Sequence, residues 1–159
     1  MATQYTAGLT TGQVLTAATM NSIGAAWETF TPTWTAVTTN PVIGNGTILG
    51  KYTRIQKLVL AEYFIVAGST TTFGSGVFTF SLPITAKAPL GGFTALGSGV
   101  LFDISTQLAY VVGANNFNSS TTICSLRFTG AGNGDVTAIA PFTFANTDII
   151  TFTIKYEAA

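Results

Sequence analysis

The chain has 159 residues, of which six are basic and six acidic, with no histidine and a single cysteine. Without histidine or clustered cysteine there are no usual zinc ligands and no Ser-His-Asp machinery, and a neutral charge balance argues against a phosphate-tracking surface. With 47% hydrophobic residues, 29 threonines and 17 glycines, the composition describes a β-rich scaffold whose polarity comes from hydroxyl groups.

A folded body of 16.5 kDa exposes roughly 7,500 Å², so twelve charges are sparse on it. Part of this surface is expected to be buried against other copies, because zero net charge removes the repulsion that keeps monomers apart. No apolar run approaches the ~20 residues of a membrane span. The start, Met1 to Tyr5, lacks a basic n-region, so no export signal is expected. Neither nucleic acid nor membrane insertion is expected, and no cofactor.

Residues 1–30 read differently from the rest. Thr16 suits a helix N-cap, with Leu15 before it and Met20 after it placed as a hydrophobic staple. Met20, Ile23 and Trp27 then fall at i, i+3 and i+7 on about three helical turns. So short a helix needs a surface to pack on. The spacing therefore predicts a helical attachment segment in which Val14, Leu15, Met20, Ile23 and Trp27 meet a partner or the chain's own body.

From residue 31 onward the pattern is β. Strands are expected over 31–38, 47–55, 57–67, 76–82, 93–104, 107–112, 121–129 and 148–156. Turn-formers separate them, among them Gly44-Asn45-Gly46, Gly91-Gly92 and the run Gly130–Asp135. About eight strands at this spacing predict one all-β domain over 31–159, an antiparallel β-sandwich or jelly-roll-like knob. Ile150, Phe152, Ile154 and Tyr156 alternate with Thr151, Thr153 and Lys155, giving the last strand one apolar face.

The strand over 57–67 is apolar on both faces: Leu58, Leu60, Phe64 and Val66 with Glu62 on one, Val59, Ala61, Tyr63 and Ile65 on the other. Such a strand is central or faces a neighbouring subunit, and Val59, Ala61, Tyr63 and Ile65 are the expected oligomer interface. Glu62, an acid among apolar neighbours, needs a cationic partner, with Lys51 or Arg54 in reach.

Chemistry is scarce. Cys124 alternates with Leu126 and Phe128 and reads as a small buried hydrophobe. Glycan cleavage needs two carboxylates about 5–10 Å apart, but Glu28, Glu62, Asp103, Asp135, Asp148 and Glu157 are scattered. Asn115, Asn116, Phe117, Asn118 and Asn133 lie in loop-like stretches and are candidates for contact with an outside partner.

The segment Gly12-Gln13-Val14-Leu15-Thr16-Ala17-Ala18-Thr19-Met20-Asn21 resembles the "G-x-V-L-T-A-A-x-x-N" opening of many bacteriophage tail-fibre and minor structural proteins. Phe30-Thr31-Pro32-Thr33-Trp34-Thr35, Gly50-Lys51-Tyr52-Thr53-Arg54-Ile55, Phe78-Thr79-Phe80-Ser81-Leu82-Pro83 and the closing stretch from Asp148 to Glu157 resemble a β-knob of phage virion proteins. The resemblance implies a non-enzymatic virion surface protein, commonly a homotrimer, assembled in the host cytoplasm. Residues 1–30 would then attach to other tail or capsid proteins, and the knob would project toward a host cell-surface glycan. A tail location with a receptor-binding role is the first expectation, a capsid fibre or head decoration the second, a glycan-cleaving module a distant third. The family usually has Gly where Gln56 stands, so a turn needing positive φ is expected to be strained here.

Overall fold

The structure, a computed structural model, describes residues 11–12, 14, 16–17, 26–91, 94–129 and 134–159. Its strands are β1 (Glu28–Phe30), β2 (Trp34–Ala36), β3 (Thr47–Ile55), β4 (Leu58–Val66), β5 (Phe78–Ser81), β6 (Ala95–Asp103), β7 (Leu108–Asn116), β8 (Ile123–Phe128), β9 (Gly134–Asp135) and β10 (Ile149–Glu157). All pair antiparallel in one sheet of order β1-β3-β4-β10-β6-β7-β8-β5-β2, with β9 joining β8 beside β5. The protein is all-β, as its composition predicts. The expected helix falls almost wholly outside the described residues, as do Leu15, Met20 and Ile23; Val14 is exposed.

The sheet must curl. β1 and β2 are its two opposite edges, yet only Thr31, Pro32 and Thr33 separate them in the chain. Four residue steps span at most ~14 Å, far less than the width of nine flat strands spaced ~4.8 Å apart. The two edges therefore approach each other, and the 31–33 link crosses the seam with Pro32 buried.

Aromatic side chains fill the inside of the curl. Tyr63 of β4 stacks on Phe152 of β10 at 4.2 Å between centroids. Phe80 of β5 packs on Phe152 at 5.1 Å, Phe30 of β1 stands edge-on to Tyr63 at 5.3 Å, and Trp34 of β2 meets Phe78 at 5.0 Å. Tyr63–Phe152 and Trp34–Phe78 join neighbouring strands, whereas Phe80–Phe152 and Phe30–Tyr63 join strands that are not paired with each other. Burying one such side chain contributes about 1.5–3 kcal/mol, and edge-on or offset pairing adds about 0.5–1.5 kcal/mol.

This core corrects the expected interface. Val59, Ala61, Tyr63 and Ile65 are 0–1% exposed and point into the chain's own interior. The reason is parity: neighbouring inward residues Ile150, Phe152 and Ile154 on β10 pair opposite Ile65, Tyr63 and Ala61. The outward face of β4 is Leu58, Leu60, Glu62, Phe64 and Val66.

The antiparallel registers give the body two ends. One, called the near end, carries the Gln56–Lys57 turn, the 117–122 connection and the close of β10 at Glu157. The other, the far end, carries the turn between β6 and β7 and the residues before β10. β1 runs antiparallel to β3 from Glu28, level with Tyr52, so the chain enters β1 from the near end. The body thus begins at β1, three residues before the expected domain boundary, and Trp27 lies against it.

Candidate functional site on the outer sheet face

The outward residues of β3, β4, β10, β6 and β7 line up in cross-strand rows. One row runs Leu49, Phe64, Thr151, Val100, Val111. Leu49, Phe64 and Val111 are 57%, 43% and 65% exposed, although each is a large apolar side chain. The next row is polar: Lys51, Glu62, Thr153, Ser98, Gly113, Arg127, Asp135. Further along β3 and β4, Ile55 and Leu58 are each 46% exposed and pair opposite one another.

The polar row is held by ion pairs. Lys51 Nζ lies 2.9 Å from Glu62 Oε2, and Arg127 Nε 3.5 Å from Asp135 Oδ1. The expected partner of Glu62 is therefore Lys51, but at the surface; both side chains are about half exposed, and such a pair contributes at most ~1 kcal/mol. The Lys51 ammonium also sits 5.0 Å from the centroid of the Trp27 ring. On either side of this row the face is grooved. A hollow of about 780 Å³ lies by Thr29, Leu49 and Phe64, and one of about 440 Å³ by Trp27, Leu60 and Lys155.

Gly50 lets β1 close onto β3 at this edge. It pairs opposite Phe30 and Tyr63, and a Cβ there would stand 2.4 Å from the Phe30 ring. Without a side chain there, β3 leaves room for the Phe30 ring beside Gly50, and β1 pairs with β3 with Trp27 beside Lys51 on the outer face.

The carboxylates are all engaged. Asp103 Oδ1 accepts from the Ser105 amide at 2.9 Å, the Ser105 hydroxyl at 2.7 Å and the Thr106 amide at 3.2 Å. The Ser105 hydroxyl first, with the Thr106 contacts and the Ser105 amide, holds this carboxyl below its ordinary range against the opposing effect of burial. Asp148 accepts from the Ile104 amide at 3.0 Å and the Ala145 amide at 2.7 Å. Both acids are buried and cap turns at the far end; neither opens onto a cleft. Glu28 accepts the Tyr52 hydroxyl proton at 2.7 Å, and Glu157 pairs with Lys87 at 3.0 Å. Burial raises the Tyr52 hydroxyl, and Glu28 adds to the rise. Cys124 is sealed in β8, its thiol pushed up to about 12 by burial. Among the described residues no cluster of three or more His, Cys, Asp or Glu side chains is placed to hold a metal.

The loop candidates separate. Asn115 and Asn116 belong to β7 and are 8% and 3% exposed, which corrects their reading as outside contacts. Asn115 Nδ2 donates to Ser125 Oγ at 3.2 Å, and the Asn116 carboxamide accepts from the Thr94 amide. Their amides hold strands together. Phe117 is half-buried and Asn118 exposed in the near-end connection; Asn133 lies outside the described residues. The stretch 114–120 leads into the near-end connection, whereas β9 joins the far half of β8 at Arg127 and Phe128.

The sequence reading missed Leu49, Val100 and Val111, and placed the β4 interface on the wrong side. A signal was present: Glu62 shares its face with Leu58, Leu60 and Phe64, and an unburied acid marks the outward side of a strand. Comparison with known protein families, with curated proteins and with solved structures finds no match to this chain, so the reading of this face rests on its own geometry.

Proposed function

We propose that the chain is a non-enzymatic surface protein of a phage particle, a homotrimeric knob of sandwich or jelly-roll kind. Residues preceding β1 join it to the particle, and the body reaches the host surface, at the tail. One observation carries this reading: large apolar side chains, Leu49, Phe64, Val111, Ile55 and Leu58, stand exposed on the outer sheet face of a body whose six carboxylates all have partners. Such a molecule has surface to bury and no free acid–base pair with which to work on a substrate. The sequence resemblance to phage tail-fibre and minor structural proteins supplies the particle.

The host contact moves with the corrected geometry. The chain enters β1 from the near end, so attachment there turns the far end outward. Ser105, Thr106, Gln107, Asn146 and Thr147 are exposed on the far-end segments, a hydroxyl- and amide-bearing tip suited to hydrogen-bonding the hydroxyls of a cell-surface glycan. Three copies on one axis multiply weak contacts by avidity.

Imaging native virions by cryo-electron microscopy, with the knob fitted to density, tests the proposal. Density at the tail with three copies per site is the expected result. Density on the head replaces the tail reading by a capsid decoration, and absence from the particle overturns both. A fall in polysaccharide viscosity on adding purified protein overturns the non-enzymatic part.

A further inference from the structure

We propose that the hollow beside Trp27 binds an acidic sugar, whose ring lies on the Trp27 indole and whose carboxylate pairs with Lys155. The site goes beyond the particle reading above and does not need it, because one chain supplies every residue.

The hollow's volume of about 440 Å³ falls in the range of small-molecule sites. Trp27 at its side is 48% exposed, a large flat apolar ring left half in water. The electron-rich face of an indole attracts the polarised C–H groups of a sugar ring as it attracts a cation. Lys51 already uses the ring in that sense, its ammonium 5.0 Å from the centroid. The other walls include Glu62, Ser98, Thr153 and Lys155. The hydroxyls of Ser98 and Thr153 are exposed and, among the described residues, bond to no neighbour. An aromatic plate ringed by hydroxyls, a carboxylate and an ammonium matches a ligand with C–H faces and a hydroxyl rim. An apolar side chain of a protein partner would strand those polar groups without bonds.

Charge selects an acid. Lys51 is closed on Glu62 at 2.9 Å, Lys87 on Glu157 at 3.0 Å and Arg127 on Asp135 at 3.5 Å. Among the described residues Lys155 has no carboxylate at ion-pair distance. The Lys51–Glu62 pair cancels itself, so the hollow keeps one uncompensated positive charge that an anionic ligand answers.

The hollow continues along the sheet. A second one of about 420 Å³ shares Gly97 with the first and reaches Gly113 and Arg127. Glycine inside a strand weakens it, and often marks a place where something else approaches closely. Gly97 and Gly99 are required by the fold, since a Cβ at either would run into a backbone carbonyl of β10. A Cβ at Gly113 would meet nothing within 4 Å, its backbone is not left-handed, and its register with Ser98 and Arg127 is regular. From β4 to β8 the path crosses four strand spacings, roughly 19 Å, room for several sugar rings in line.

Titration of the full chain with tetragalacturonate, a hyaluronan tetrasaccharide and a sialic acid tetramer tests the site, with cellotetraose as uncharged control. Calorimetry reads the affinity. Indole emission reads the place, because Trp34 is buried and Trp27 is not. At least one acidic probe is expected to bind, to shift the emission, and to bind more weakly as salt rises. Cellotetraose is expected to bind at least ~3-fold more weakly, and Lys155→Gln to lower the acidic probe's affinity ~3-fold. Trp27→Ala is expected to lower it ~10-fold. Gly113→Val should weaken the tetramers at least ~3-fold while melting no earlier than the wild type. Asn146→Ala at the far end should change nothing.

No binding by any acidic probe overturns the proposal. Unchanged affinity in both Trp27→Ala and Lys155→Gln overturns this hollow as the site. Loss in Asn146→Ala in their place gives the sugar to the far-end tip and leaves the particle reading standing. Equal affinity for cellotetraose overturns the acid. A light-scattering mass that falls in Trp27→Ala means that copies of the chain fill the hollow, and overturns the sugar.

Discussion

Gln56 shows what one residue can cost a turn. It has φ +54° in a two-residue hairpin between Ile55 and Leu58, where an L side chain crowds its own carbonyl by about 1–2 kcal/mol. Glycine removes that strain but loses about 0.5–1 kcal/mol of chain entropy. Gln56→Gly is therefore expected to stabilise the fold by about 0.5–1 kcal/mol, read as a rise of roughly 1–4 °C in melting temperature. Asp103 works in the opposite sense, as a residue whose charge the fold uses. Its carboxyl is held below its unfolded value, so its contribution is complete above the unfolded pKa and fades as pH falls through the folded one. Asp103→Asn is expected to melt earlier than the wild type at pH 7. The gap should narrow as pH falls below the ordinary carboxylate range and close once the wild-type carboxyl is protonated as well. A gap that persists at low pH would assign the effect to shape rather than charge.

At the scale of elements, most strands were legible and one orientation was not. Alternation in 149–157 placed β10 and its inner face, because Thr and Lys separate the apolar residues. β3 was equally clear from its turn signals. β4 was found but turned the wrong way, since a strand with two apolar faces carries no parity of its own. Only its neighbours decide, and Tyr63 between Gly50 and Phe152 settles the matter in three dimensions. The three-residue β1 was invisible for another reason: Phe30 and Gly50 hold it from 20 positions apart, beyond any local pattern. That contact is testable. Gly50→Ala pushes a methyl into the Phe30 ring, an overpacking expected to cost about 1–3 kcal/mol in urea unfolding. In a Phe30→Ala background the same substitution should cost little, and the double-mutant cycle reads the difference as coupling between β1 and β3. Equal costs in both backgrounds would mean that Phe30 does not fill the space above Gly50.

For the whole molecule, the decisive property is that its two ends differ. A curled antiparallel sheet has turns at both ends, and sequence spacing cannot say which turns share an end; the registers do. Chain entry, the Gln56–Lys57 turn and the 117–122 connection fall together, while Asp103 and Asp148 cap turns at the opposite end. If the chain is fixed to a particle through the residues before β1, as proposed, it should therefore show only its far end. Thiol labelling reads this directly, because Cys124 is fully buried with its thiol pushed up to about 12 and gives a silent background at pH 7–8. Leu108, 53% exposed beside the far-end turn, and Lys57, exposed in the near-end turn, are suitable sites. On assembled particles, Leu108→Cys is expected to take a maleimide dye as fast as in the free protein. Lys57→Cys is expected to react normally in the free protein and at least ~10-fold more slowly once assembled, since a thiol must be reached to react. Equal rates at both sites on the particle would remove the polarity, and faster labelling at Lys57→Cys would reverse it.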